Sequence, residues 1–514
     1  MTMKRPEAPN LISTGIEGLD EVLGGGLPSG RTYLIRGDSG TGKTTMALQF
    51  ALEGAQRGET SLYIMLTETV DELEAVTRSH GWRLDGVHVH EVVERPERLM
   101  REARTTLFGP AEIELGAVIE EIASLAREMR PTRVAIDPIS ELRLMSEDPL
   151  RIRRQILALK QVFADIGATA LLMEEPPIQA DGGEHIENVA HGVLVVDQRS
   201  TGYGPSRRRL QVKKVRGLRY LAGYHDIDIL TGGIEVYPRP VDIVKPPPPP
   251  FEVVSTMLPS LDDMLGGGLE GGTTTMVMGP SGTGKSSLLS HLSAKLAEQG
   301  KTASIYLFEE GEALFRKRAE NLDLPLSSLL DSGSLHINTV NPGDMSSGHL
   351  LQHIRRSVEK GGVRAIALDS LSGLARTVYD EPSLEMRLRE TLSWLSRRGV
   401  NIFLSLSRHK PGSGLIGGDI SYMADTVIVL HHVESGSKLG KAISILKRRG
   451  GKHDSSVREL RMSSKGLLIG EPVEGSLTSL ALEPAGNGWA ARQIPSTPKR
   501  ASTPTMEQDN GSEQ

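Results

Sequence analysis

Short apolar runs alternate along this chain with longer segments whose apolar residues recur every three or four positions. In the first half the runs are TYLIRG (Thr32–Gly37), SLYIML (Ser61–Leu66), VAID (Val134–Asp137), TALLME (Thr169–Glu174), VLVVD (Val193–Asp197) and LQVKKV (Leu210–Val215). In the second half they are TTMVMG (Thr274–Gly279), SIYLFE (Ser304–Glu309), AIALD (Ala365–Asp369), NIFLSL (Asn401–Leu406), TVIVLHH (Thr426–His432) and AISILK (Ala442–Lys447). Between them lie segments such as TMALQFALEGAQRG (Thr45–Gly58) and SLLSHLSAKLAEQG (Ser287–Gly300), with helical spacing. Strand–helix alternation predicts an α/β fold: a largely parallel sheet with helices on both faces, its last strands free to run antiparallel. Ligands of such sheets sit beyond the carboxyl ends of the strands.

The pattern occurs twice. GLDEVLGGGL (Gly18–Leu27) returns as SLDDMLGGGL (Ser260–Leu269), RVAID (Arg133–Asp137) as AIALD, and VKKVRG (Val212–Gly217) as ILKRRG (Ile445–Gly450). The nearly constant offset, about 240 positions, far exceeds the ~20–50 residues of a solenoid repeat and indicates a duplicated domain. The boundaries read as a first domain over 1–239, a linker over 240–250, a second domain over 251–475 and a tail over 476–514. Five consecutive prolines (Pro246–Pro250) favour an extended, stiff linker. The tail, rich in Ser, Thr, Pro, Gly and Gln, has too little apolar surface to offset the entropy of ordering.

Each copy carries one phosphate-binding loop. The first is Gly37-Asp38-Ser39-Gly40-Thr41-Gly42-Lys43-Thr44, followed by Thr45. The second is Gly279-Pro280-Ser281-Gly282-Thr283-Gly284-Lys285-Ser286, followed by Ser287. Glycines let the backbone curl so that its N–H groups face phosphate oxygens, and the following helix adds positive charge at its N-terminus. Lys43 and Lys285 are then expected to reach the β- and γ-phosphates of ATP, and Thr44 and Ser286 to ligate Mg²⁺. Asp137 and Asp369 end apolar runs and are the expected second anchors for that metal; the competing reading is an acid opening a loop. After the second run of each copy come further acids, Glu309 and Glu310 in the second copy. In the first, Thr67 stands where Glu309 would be, followed by Glu68. A carboxylate there can polarise a water or hydroxyl for in-line attack; exposed acids capping a helix are the alternative. EEPP (Glu174–Pro177) reads as a strand end followed by a stop.

Bulk properties then remove options. The 514 residues suit two to four domains, and 38% hydrophobic with 24% charged residues is ordinary globular composition. Without cysteine there is no disulfide, thiolate or cysteine-metal chemistry. A net charge of −6 and only 4% aromatics do not favour a nucleic-acid partner, although SRRRLQVKK (Ser206–Lys214) is locally basic. No apolar run reaches the ~18 residues of a transmembrane helix. MTMKRPEAPN lacks the apolar core of a secretory signal, so a cytoplasmic protein without membrane contact is expected. His431 and His432 are adjacent on a strand, face opposite sides and make poor metal partners.

The two phosphate loops, the GLDExLGGGL lead-in, FEE (Phe308–Glu310), the KxRG strand, SHGW (Ser79–Trp82) and KRRGGKHD (Lys447–Asp454) resemble the KaiC family, circadian-clock ATPases and autokinases. The likeness spans about residues 11–475. It implies two tandem RecA-like P-loop domains and a homohexameric double ring with ATP at subunit interfaces. It also implies that Lys214 and Arg216, and Lys447 and Arg449, reach a neighbour's nucleotide. In the family's second ring a Ser-Thr pair is phosphorylated. Here Ser421 aligns with the serine while Tyr422 replaces the threonine, and PGSGLIGG (Pro411–Gly418) departs from the pattern. Ser421 is therefore either a single phosphoacceptor, with Glu309 as base, or a loop serine satisfied by backbone. The resemblance implies an ATP-driven switch with regulatory protein partners, but the tail gives no support for the family's usual C-terminal activator. A RecA-like DNA-binding filament or loader is the alternative, and a first domain that binds nucleotide with little turnover is a third.

Overall fold

The computed structural model describes residues 10–92, 110–146, 148–176, 184–200, 206–241, 247, 250, 252–341, 345–377, 384–407, 420–435 and 438–473. The segment Pro411–Gly418, the tail and most of the proline linker lie outside them. The first half forms a nine-stranded sheet: β1 Thr32–Arg36, β2 Ser61–Met65, β3 Val87–Glu91, β4 Arg133–Asp137, β5 Thr169–Glu174, β6 Gly192–Arg199, β7 Arg207–Val215, β8 Tyr224–Leu230 and β9 Gly233–Tyr237. The second half forms another: β10 Thr274–Gly279, β11 Ala303–Leu307, β12 Leu335–Thr339, β13 Ala365–Asp369, β14 Asn401–Ser407, β15 Thr426–Ser435, β16 Lys438–Arg448, β17 Arg458–Ser463 and β18 Gly466–Pro472. The order is β3-β2-β4-β5-β1-β6-β7-β8-β9 in the first sheet and β12-β11-β13-β14-β10-β15-β16-β17-β18 in the second, one topology used twice. Pairing is parallel from β3 through β6 and antiparallel from β7 onward, with the same split in the second sheet.

The central strands read as unbroken apolar runs because both faces are covered. Tyr33 and Ile35 of β1 face one buried cluster and Leu34 faces another; Val277 of β10 is likewise divided from Met276 and Met278. Each fully buried aliphatic side chain of this kind contributes about 1.5–3 kcal/mol. The covering helices include α1 Lys43–Gln56, α2 Val70–Ser79, α3 Pro110–Met129 and α4 Pro149–Asp165, then α5 Lys285–Glu298, α6 Glu312–Glu320, α7 Ser347–Glu359 and α8 Leu384–Ser396. The strands absent from the sequence reading are peripheral: β3, β8, β9, β12, β17 and β18. In β3 and β8 the faces are partly exposed, as in VHVHE of β3, so the apolar run that marked the interior strands is missing.

The duplicated GLDE lead-in has a structural task. Asp20 accepts from the Ser13 hydroxyl (2.7 Å) and from the Thr14 amide (2.9 Å) and hydroxyl (2.7 Å). Asp262 repeats this with Ser255 (2.6 Å) and Thr256 (2.8 and 2.7 Å). The acid thereby fixes the chain as it enters each domain.

The two halves meet through charge. Asp226 on β8, 7% exposed, accepts from the Gly348 amide at 2.8 Å, in the first turn of α7. It also takes both terminal nitrogens of Arg387 on α8, one at 2.9 Å. Arg355 pairs with Glu21, Arg356 with Glu17 and Glu235, and Arg239 with Glu390. Truncating one member of a buried pair leaves the other charge uncompensated. Arg387→Met should therefore destabilise the full chain by about 3 kcal/mol in denaturant unfolding, and Asp226→Asn by less. A loss below about 1 kcal/mol for Arg387→Met would mean the pair behaves as a surface contact.

Candidate functional site

Both phosphate loops bridge a central strand and the N-terminus of a long helix. Gly42 and Gly284 cap α1 and α5 in left-handed backbone, φ 102° and 106°. A Cβ on Gly284 would lie 1.8 Å from the Met462 methyl carbon, and one on Gly42 would press Ile229 and Ile234 at 3.0 and 2.8 Å. The left-handed backbone demands glycine there, while the crowding falls on flexible side-chain ends. Lys43 is buried and donates to the carbonyls of Gly37 (2.8 Å) and Asp38 (2.9 Å); Lys285 donates to Gly279 (3.0 Å) and Pro280 (2.8 Å). Thr41 and Thr283 close each loop by donating to Asp38 and Pro280 carbonyls at 2.7 and 2.9 Å. Ser39 and Gly40, and Ser281 and Gly282, form the outer rim of the loops. Thr44 and Ser286 are the second residues of their helices, and Thr45 and Ser287 the buried third.

The acids converge on the same strand ends. Asp137 ends β4, buried, and accepts from the Tyr63 hydroxyl at 2.8 Å. Burial pushes its carboxyl up, against hydrogen bonds from Thr44 and Tyr63 and the charge of Lys43. Thr44 and Asp137 thus stand together as a hydroxyl–carboxylate set suited to Mg²⁺. Asp369 ends β13 and accepts from Ser405 at 2.5 Å. Burial lowers Lys285, while Asp369 and Glu309 hold its proton on. Glu309 accepts from the Ser370 hydroxyl at 3.1 Å, beside Asp369. Glu310 turns away into an ion pair with Arg318 on α6. In the first domain the Glu68 carboxyl is raised by burial, then by the charges of Asp137 and Glu72. Thr67 contributes no carboxylate. Among the described residues no cluster of three or more His, Asp or Glu forms a separate metal site, and no helix is long and apolar enough to cross a membrane.

The remaining predicted cations lie elsewhere. Lys214 sits opposite Val193, and Val193 opposite Leu34, three residues before Gly37. At ~3.3 Å per residue, Lys214 is roughly 10 Å down the sheet from its own phosphate loop, and Arg216 is farther. Lys447 is placed the same way, opposite Val427 and, through it, Met276. Lys214 donates to the Glu187 carbonyl, and Arg31 donates to the Arg216 carbonyl at 2.5 Å. His191 is pushed down to about 4 by burial and then by Lys160, Arg31 and Arg216, which records how dense the positive charge is there. In the second domain Lys447 donates to the carbonyls of Ser421 (3.2 Å) and Ala424 (2.9 Å). Arg449 donates to the Tyr422 carbonyl (2.7 Å) and pairs with Asp425 at 3.4 Å. These cations therefore cradle the short turn Ile420–Met423 that carries Ser421.

Three participants escaped the sequence reading. Tyr63 and Ser405 orient the two buried aspartates. Glu175, read as part of a strand stop, pairs with Lys43 at 3.2 Å. The available signal was its place at the carboxyl end of a strand beside the phosphate loop. His432, read as no metal partner, faces the second loop and contacts the Ser281 carbonyl at 3.1 Å.

Comparison with known proteins follows the same lines. A family model described as "ATPase: KaiC" matches residues 12–241 and again 254–474. The circadian clock oscillator protein KaiC of Thermostichus vulcanus is 28% identical over 470 residues, covering 89% of this chain and 88% of that protein. Those of Acaryochloris marina and Synechococcus elongatus are also 28% identical, each over 466 residues, covering 88% of this chain and 87% and 88% of theirs. Two copies of one sheet topology, each with a phosphate loop and a buried aspartate at the strand ends, and a family match across both copies, make this chain a duplicated-domain member of the KaiC family of ATPases.

Proposed function

We propose that the chain is a ring-forming ATPase in which each subunit completes its neighbour's site, and that the second domain phosphorylates Ser421 across that junction. The observation that carries this is placement at opposite ends of the sheet. Phosphate loop, Asp369 and Glu309 lie at the carboxyl end of the parallel strands, whereas Lys447, Arg449 and Ser421 lie at the other. No chain can bring its own Ser421 to its own phosphate loop, but a head-to-tail neighbour can. The family resemblance supports reading the ring as a homohexamer with two stacked tiers.

The residues fit ATP and its metal: a glycine cradle that a Cβ would fill, a buried lysine, and a hydroxyl–aspartate set. Mg²⁺, when bound, supplies charge neutralisation on the phosphate oxygens. Thr44 and Asp137, or Ser286 and Asp369, would hold it. Lys43 or Lys285 would leave the loop carbonyls for phosphate oxygens. Glu309 would take the proton from water or from the neighbour's Ser421 hydroxyl, and Lys447 and Arg449 would stabilise charge on the transferring group. Nucleotide state and phosphate would then set which regulatory proteins bind.

Two outcomes test this. Intact mass after incubation with Mg·ATP should show one added phosphate in wild type and none in Ser421→Ala or Glu309→Gln. A mixture of Lys285→Ala and Ser421→Ala chains should place phosphate on the Lys285→Ala chain, although neither variant alone acquires any. Phosphorylated wild type with a silent mixture would overturn transfer between subunits; ATP consumption with no phosphate anywhere would leave nucleotide state as the only signal. Separately, Lys447→Ala should lower second-domain turnover by roughly 10³-fold, the scale of a cation supplied in trans, with nucleotide affinity little changed. Equal loss of affinity and rate would return Lys447 to a structural role.

A further inference from the structure

The two copies differ in where they keep a carboxylate. In the second domain β11 is followed by Glu309, and the position of β14 opposite Gly279 is Ser407. In the first domain the arrangement is reversed. β2 is followed by Thr67 at the corresponding place, while Glu175 follows β5, whose Glu174 lies opposite Arg36 and accepts at its carbonyl from the Gly37 amide at 3.1 Å. The strands β2 and β5 flank β4, which ends in Asp137, so both acid positions border one crevice from opposite sides. Glu175 reaches into it: its carboxylate is 3.2 Å from the Lys43 ammonium, and its charge adds to the upward shift of Asp137.

We propose that Glu175 is the water-activating base of the first domain, replacing the carboxylate lost at Thr67. This rests on the reading of that domain as an ATPase. Lys43 spends two donors on Gly37 and Asp38 carbonyls and its third on Glu175. When phosphate oxygens draw the ammonium away from these partners, Glu175 Oε1 is freed beside the γ-phosphate. A water oxygen then forms a bond to the γ-phosphorus, and the bond to the β–γ bridging oxygen breaks, its electron pair leaving with ADP. The water's proton passes to Glu175 and from there to solvent, so that ATP and water give ADP, phosphate and a proton. Glu68 is the competing base. Glu175 is favoured over it by direct contact with the loop lysine, 3.2 Å from the Lys43 ammonium that is expected to meet the terminal phosphate.

The test uses the full chain carrying Lys285→Ala to silence the second domain. Glu175→Gln should lower kcat about 100-fold, the usual worth of a positioned base. The same variant should bind a non-hydrolysable ATP analogue no more than about threefold differently, because it removes only a half-exposed partner of Lys43. Adding Thr67→Glu to Glu175→Gln recreates the second domain's arrangement and should restore at least a tenth of the lost rate. Turnover that survives Glu175→Gln but collapses in Glu68→Gln would overturn the proposal and make Glu68 the base. A Glu175→Gln variant that loses analogue binding along with turnover would also overturn it, reducing Glu175 to a loop support. Absence of turnover in the Lys285→Ala background, with analogue still bound, would overturn first-domain hydrolysis itself and Glu175's part in it, while the nucleotide site would stand.

Discussion

A parallel strand has two chemically unequal ends, and that inequality governs this molecule. All six central strands of each sheet deliver their carboxyl ends to one side. Phosphate loop, buried aspartate and neighbouring acids collect there without any long-range search by the chain. The first antiparallel strand reverses direction and runs back to the amino side. The strand's basic residues are thereby shared between the two ends: Arg208 donates to the Gly40 carbonyl of the phosphate loop at 3.1 Å, whereas Lys214 lies opposite Val193 toward the amino side. In the proposed ring it is the amino-side cations, Lys214 and Lys447, that would meet a neighbour's nucleotide.

The order in which the sequence yielded its information follows the range of the interactions. Phosphate loops are local: backbone curvature, lysine and hydroxyl lie within eight residues, so Gly37–Thr44 and Gly279–Ser286 were legible at once. Asp137 and Asp369 needed one more inference, that an acid ending an apolar run stands at a strand end. Edge strands such as Val87–Glu91 were not legible, because one exposed face removes the hydrophobic run and leaves alternation too weak to separate from loop. Glu175 was illegible for a different reason. Its partner Lys43 is 132 positions away, and only the order β4-β5-β1 makes them neighbours. The same holds for the turn at Ser421, whose carbonyls are held by Lys447 and Arg449 from across a strand pair.

Duplication preserved the framework more strictly than the chemistry. Strand order, lead-in aspartates and loop glycines are common to both halves, since each is enforced by packing or backbone strain. Side chains facing the crevice are under no such constraint, so Thr67 and Glu175 in one copy can stand against Glu309 and Ser407 in the other. Two sites with one scaffold and differently placed acids are free to run at different rates.

The junction through Asp226 bears on how this protein can be taken apart. Its carboxylate belongs to the first half, but the amide and guanidinium that satisfy it belong to the second. Divided at the proline segment, each half would carry into water a surface shaped to be dry: the Asp226 carboxylate on one, and on the other the guanidinium and helix start that had held it. A fragment of either half is therefore a different solute from the same residues in the whole chain, and its solubility and self-association report on the cut as much as on the domain.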